Sequence, residues 1–80
     1  MNIFLVMMVA GKIAMSVPMH VDMTTCRETA ASQEAVIDGR YSQGDVSYAG
    51  PVTFQGRAVK RSDISFHCIQ AYEAPEVEAK

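Results

Sequence analysis

The 80-residue sequence predicts an α+β fold, with an antiparallel sheet in strand order 2-1-3 built from a β-β-α-β chain and one helix packed on one face. Three observations carry it. Residues 3–10 are apolar without a break, residues 12–22 alternate apolar with small or polar, and residues 22–39 show apolar side chains at helical spacing between two marked ends.

The apolar run raises the question of export first. A secretory signal needs a basic leading segment, and here only Met1 and Asn2 precede the run, while Lys12 stands where a cleavage region would begin. A membrane helix needs about 20 apolar residues, and Lys12, Pro18 and His20 interrupt that length. A hairpin explains more residues. Ile13, Met15, Val17, Met19 and Val21 alternate with Lys12, Ala14, Ser16, Pro18 and His20, the period of a half-buried strand. Gly11 and Lys12 suit a type II′ turn, which sets Ala10 against Ile13, Met8 against Met15, Val6 against Val17 and Phe4 against Met19. Pro18 cannot donate to a ladder, so the second strand belongs at an edge, and the doubly apolar first strand belongs in the middle.

Asp22 is placed to cap a helix, with Thr25 and Glu28 as an alternative capping box, and Gly39 supplies the stop. Met23, Cys26, Ala30 and Ile37 fall on one face, and Gln33, at the same spacing, belongs at its rim. In "DISFHCIQAY", Ile64, Phe66 and Cys68 alternate with Ser65, His67 and Ile69, giving a third strand beside the first. Residues 40–62 are a long connection in which "PVTFQGRAV" can form a small hairpin. Residues 1–72 thus make a single domain, and residues 73–80 a flexible acidic tail.

Charge narrows the function classes. Residues 1–72 carry six basic and six acidic side chains, so neither a nucleic-acid-like acidic surface nor a broad phosphate-binding face is expected. Direct nucleic-acid binding and membrane binding are not expected. Two cysteines and two histidines lack zinc-ligand spacing, and His67 and Cys68, adjacent on a strand, point to opposite faces, which disfavours a shared metal or a catalytic dyad. No cofactor or metal is expected, and the absence of phosphate-loop, dinucleotide and hydrolase motifs argues for a non-enzymatic protein. Cys26 and Cys68 both face the helix–sheet interface, as buried thiols or as a disulfide.

Two surfaces remain. The basic cluster Arg57, Lys60 and Arg61 lies near Tyr48 and Phe54 in sequence. The second is a strip on the central strand. With the helix over Phe4, Val6 and Met8, the side chains Ile3, Leu5, Met7 and Val9 form an apolar strip. Either residues 40–62 fold back over it, or it is the interface of a homodimer, which is the expected case.

The run 3–10, "VDMTTCRETAA" at 21–31 and "SFHCI" at 65–69 resemble a group of small phage and prophage proteins that includes anti-CRISPR proteins. The long segment 40–62 departs from their compact members. The resemblance implies a cytoplasmic protein, made in a bacterial host, that inhibits a type I CRISPR surveillance complex by stoichiometric binding; it implies nothing for residues 40–62, where Arg40, Tyr48, Phe54, Arg57, Lys60 and Arg61 are the expected contact surface because exposed arginine and tyrosine favour binding hot spots. An exported protein using the apolar run as a signal and a nucleic-acid-binding accessory protein are the alternatives.

Overall fold

A computed structural model describes residues 1–42, 46–47 and 52–78 of the chain. Its main sheet has three antiparallel strands, β1 (Asn2–Val9), β2 (Lys12–Met19) and β7 (Ile64–Ala71), in the order β2-β1-β7. The predicted α+β class and strand order are those observed. Helix α1 (Met23–Asp38) packs against β7 and β1. Between the helix and β7 lie two short antiparallel pairs, β3 (Tyr41–Ser42) with β4 (Val46–Ser47) and β5 (Thr53–Phe54) with β6 (Arg57–Ala58). A single 3₁₀ turn, Arg61–Asp63, leads into β7.

The hairpin turn is Ala10-Gly11, one residue earlier than expected. Both residues have positive φ, 52° and 80°, the signature of a type I′ turn, whose twist matches the flanking strands. Val9 therefore pairs with Lys12 and Met8 with Ile13, whereas beyond a bulge Met7 pairs with Met15 and Leu5 with Val17. Ala14 is the extra residue. Turn and bulge together displace the expected register.

The displacement follows a larger correction, which is the face the helix covers. Leu5 pairs with Cys68 on β7, and Cys68 is disulfide-bonded to Cys26 on the helix. Leu5, Cys26 and Ala30 form one buried cluster, with Ile3, Met19, Phe66 and Cys68 packed around it. The strip Ile3, Leu5, Met7 and Val9 is therefore the helix side of β1, and its outer end, Val9, is buried with Tyr41, Val59 and Ile64. The strip expected to serve a second copy is the core of the chain itself, closed by α1 and by the returning segment. The reason is physical. A strand apolar on both faces carries no information about which face turns inward, while β7, which alternates, carries the cysteine that fixes it.

The helix behaves as its sequence indicates. Asp22 accepts from the Thr25 amide at 2.8 Å, Cys26 and Ala30 are buried, Met23 and Ile37 are half-buried, and Gln33 is exposed. Gly39 closes the helix with right-handed geometry, its amide bonding to the Ala35 carbonyl at 3.1 Å. None of the helices among the described residues is long and apolar enough to cross a membrane.

The opposite face of β1 carries Phe4 and Val6, only 4% and 3% exposed although no helix lies over them. The C-terminal segment supplies the cover. Ala71 pairs with Asn2 at one end of the sheet, while Glu78 bonds to Ile13 at the other end and on the far edge. The diagonal between those points is roughly 22–25 Å, the full reach of seven extended residues. Since α1 blocks the other face, residues 72–78 run straight across Phe4 and Val6. The segment expected to be a flexible tail is held as far as Glu78.

Candidate functional site

Two tight turns meet at one end of the sheet. β5 and β6 are joined by Gln55-Gly56, again both at positive φ, 53° and 78°, so this hairpin repeats the type I′ geometry of Ala10-Gly11. The Val59 amide donates to the Val52 carbonyl at 2.8 Å and extends the hairpin. Lys12 Nζ donates to Gln55 Oε1 at 3.2 Å and joins one turn to the other. The Ala10 amide donates to the Asp63 carbonyl at 2.9 Å, which fastens the first turn to the 3₁₀ turn.

Between the turns lies a groove of about 590 Å³. Val9, Phe54 and Val59 give it apolar walls, and Lys12, Arg57, Gln55 and Asp63 give it polar ones. Phe54 is half-buried against the cluster of Val9, Tyr41, Val59 and Ile64, so its ring is set by the core. Arg57 and Lys60 are exposed. Tyr41 Oη donates to the Val59 carbonyl at 3.2 Å, and this contact brings Arg40 and Lys60, each its neighbour in sequence, to the same end of the molecule.

Arg61 stands apart from the other cations. Its side chain is 19% exposed and forms ion pairs with Glu34 and Asp38 of the helix, Nε lying 2.6 Å from Asp38 Oδ1. Nη1 donates to the Ile64 carbonyl at 2.9 Å, and the Phe66 amide donates to the other oxygen of Glu34 at 2.9 Å. Hydrogen bonding to Glu34, then to Asp38, holds the guanidinium pKa above its ordinary value against the opposing effect of burial. The side chain is a clamp between helix and sheet and is unsuited to contacting a partner.

The sequence-predicted contact set thus divides. Arg57 and Phe54 line the groove, Lys60 is exposed next to Val59 of its wall, Arg40 is exposed next to Tyr41, Arg61 is consumed internally, and Tyr48 lies outside the described residues. Lys12 was missed. Its signal was present, because it is the only charged residue before Asp22 and adjoins a turn glycine. The thiols of Cys26 and Cys68 are joined in a disulfide, so neither is available as nucleophile or metal ligand in this state.

No protein-family model, curated protein or solved structure matches the chain.

Proposed function

We propose that the chain is a small non-enzymatic binding protein that inhibits a bacterial defence complex by occupying one of its surfaces, in the manner of an anti-CRISPR protein on a type I surveillance complex in the host cytoplasm. The observation that supports this reading is the groove between the two turns: apolar walls set by the core, with exposed Arg57 at its rim and Lys60 nearby. Apolar anchorage with Lys12 and Arg57 on its walls against the single carboxylate of Asp63 is suited to an acidic protein surface, and arginine next to an aromatic ring is the composition of binding hot spots. Turns pinned by backbone hydrogen bonds lose little entropy on binding.

Inhibition is measured as loss of target-DNA binding by a purified type I surveillance complex when the chain is added at equal concentration. Arg57→Glu with Lys60→Glu is expected to restore DNA binding, and Arg61→Glu is left out because it attacks the fold. Undiminished inhibition by the double variant removes the groove from the reading. Absence of inhibition by the wild-type chain removes the reading itself.

A second reading rests on the disulfide. Cross-linked cysteines belong to oxidising compartments and are uncommon in the bacterial cytoplasm, so Cys26–Cys68 supports an exported protein. In that case the run 3–10 is retained as β1 and is not a cleaved signal, because its removal would take out the centre of the sheet. Thiol alkylation and mass measurement of the chain from its own cell decide between the two. Two free thiols support the cytoplasmic inhibitor, and a bonded pair supports the exported protein.

A further inference from the structure

The β5–β6 hairpin sets an aromatic ring beside a cation. Phe54 and Arg57 flank its turn as directly opposed partners, so their side chains stand on one face, about 5 Å apart at Cβ. Phe54 is half-buried against the core, whereas Arg57 is exposed and makes no hydrogen bond or ion pair among the described residues.

Lys12 reaches the same groove from the other hairpin. Its ammonium donates to the neutral Gln55 Oε1 at 3.2 Å and enters no ion pair among the described residues, so its charge is uncompensated and it keeps donors to spare. Gln55 holds φ 53°, a position where type I′ turns favour Asn, Asp or Gly, and its longer amide is what meets Lys12. Backbone strain of this kind concentrates where a chain clamps a ligand. The one carboxylate on the groove wall, Asp63, accepts from the Lys60 amide at 3.2 Å and pairs with neither cation.

We infer that Lys12 and Arg57 form a carboxylate clamp, and that the groove takes an extended acidic peptide segment. One Asp or Glu side chain meets the two cations, and an apolar side chain two positions away, which an extended segment turns to the same side, packs on Phe54, Val9 and Val59. This rests on the groove being the binding site, as proposed above, and adds the chemistry of its ligand. Arg57 supplies a planar fork that matches a carboxylate, and Lys12 supplies a second charge. Charge also selects the ligand class. A nucleic-acid strand carries a phosphate at every step and tracks a continuous basic groove, whereas here Asp63 stands on the same walls and residues 1–72 carry six basic and six acidic side chains. A lone carboxylate with an apolar neighbour fits that arrangement.

The test titrates the full-length protein with acetyl-Gly-Leu-Gly-Glu-Gly-Leu-Gly-amide and with its counterpart carrying Gln in place of Glu, following backbone amide shifts by NMR. Shifts are expected at Gly11, Lys12, Gln55, Gly56 and Arg57, with the Glu peptide bound about tenfold tighter, the fold-change of a charge-assisted hydrogen bond. Arg57→Gln and Lys12→Gln are each expected to remove most of that preference and to leave the Gln peptide's affinity unchanged. Equal affinity for the two peptides, no binding of either, shifts confined to other residues, or tighter binding of a short oligothymidylate overturns the clamp. Should Lys12→Gln fail to fold because the turns come apart, Arg57→Gln, at an exposed position, decides alone. The inhibitor reading fails separately: Glu-selective binding by a chain that does not inhibit the surveillance complex supports the clamp, and inhibition by a chain indifferent to Glu against Gln overturns it.

Discussion

Arg61 and Arg57 are four residues apart and carry the same charge, yet they do different work. Arg61 spans helix and sheet through Glu34, Asp38 and the Ile64 carbonyl, so its removal leaves one oxygen of the half-buried Glu34 carboxylate and a strand carbonyl without their donor, while the other Glu34 oxygen keeps the Phe66 amide. Arg61→Ala is expected to cost about 1–3 kcal/mol, discounted for the partial exposure of the pair, and Arg61→Lys is expected to recover little because a single ammonium cannot replace the forked contacts. Arg57→Ala, at an exposed position, is expected to stay within about 0.5 kcal/mol. Urea unfolding midpoints of the three variants check the contrast. Asp22 offers a pH test. Hydrogen bonds from Thr25, side chain before backbone, lower its carboxyl pKa. A lowered folded pKa stabilises above the unfolded value of about 3.9 and stops doing so as pH falls through the folded value. Helix content followed by circular dichroism from about pH 5 to about pH 2 should lose part of its acid dependence in Asp22→Asn, which keeps an acceptor but no titrating group.

Among the elements, the β1–β2 hairpin shows how a turn decides more than a connection. Gly11 at φ 80° meets no neighbouring atom where a Cβ would sit, so Gly11→Ala carries backbone strain alone, about 1–2 kcal/mol. Ala10 at φ 52° already bears such strain, and Ala10→Asn, which gives the Asn-Gly pair that type I′ turns favour, is expected to raise stability by about 0.5–1 kcal/mol. Thermal unfolding of the two variants should move in opposite directions. A type II′ turn at Gly11-Lys12 predicts otherwise, since Ala10 would then lie in ordinary strand geometry and gain nothing from Asn. Asp22, Gly39, Pro18 and the alternation of β7 each state their role locally, so these elements were legible. The turn type was not, because one glycine serves equally as the first residue of one turn and the second of another.

For the whole molecule, the Cys26–Cys68 disulfide joins positions 42 residues apart and ties α1 to the strand that borders β1. In the chain-entropy description, closing a loop of that length is worth about 4 kcal/mol, a large share of the stability available to a domain of this size. Reduction, or Cys26→Ser with Cys68→Ser, is therefore expected to lower the unfolding free energy by about that amount, read from urea titrations with and without reductant. The same bond relates fold to compartment, because a chain that depends on it folds best where it forms. The groove answers to this level too. Its walls come from β1, β2, β5, β6 and the 3₁₀ turn, and among its polar residues Lys12 and Asp63 are distant in sequence, so only Phe54 and Arg57 could be nominated in advance.

By itself the sequence determined the fold class, the strand order 2-1-3, the helix with its cap and buried face, and the central place of the apolar strand. These follow from local periodicity and from residues whose backbone chemistry allows one role. Tertiary structure alone decided which face of β1 turns toward the helix, which arginine is spent inside the fold, and where residues 72–78 lie. A strand apolar on both sides has no preferred face until a partner on another strand, here Cys68 beside Leu5, supplies one.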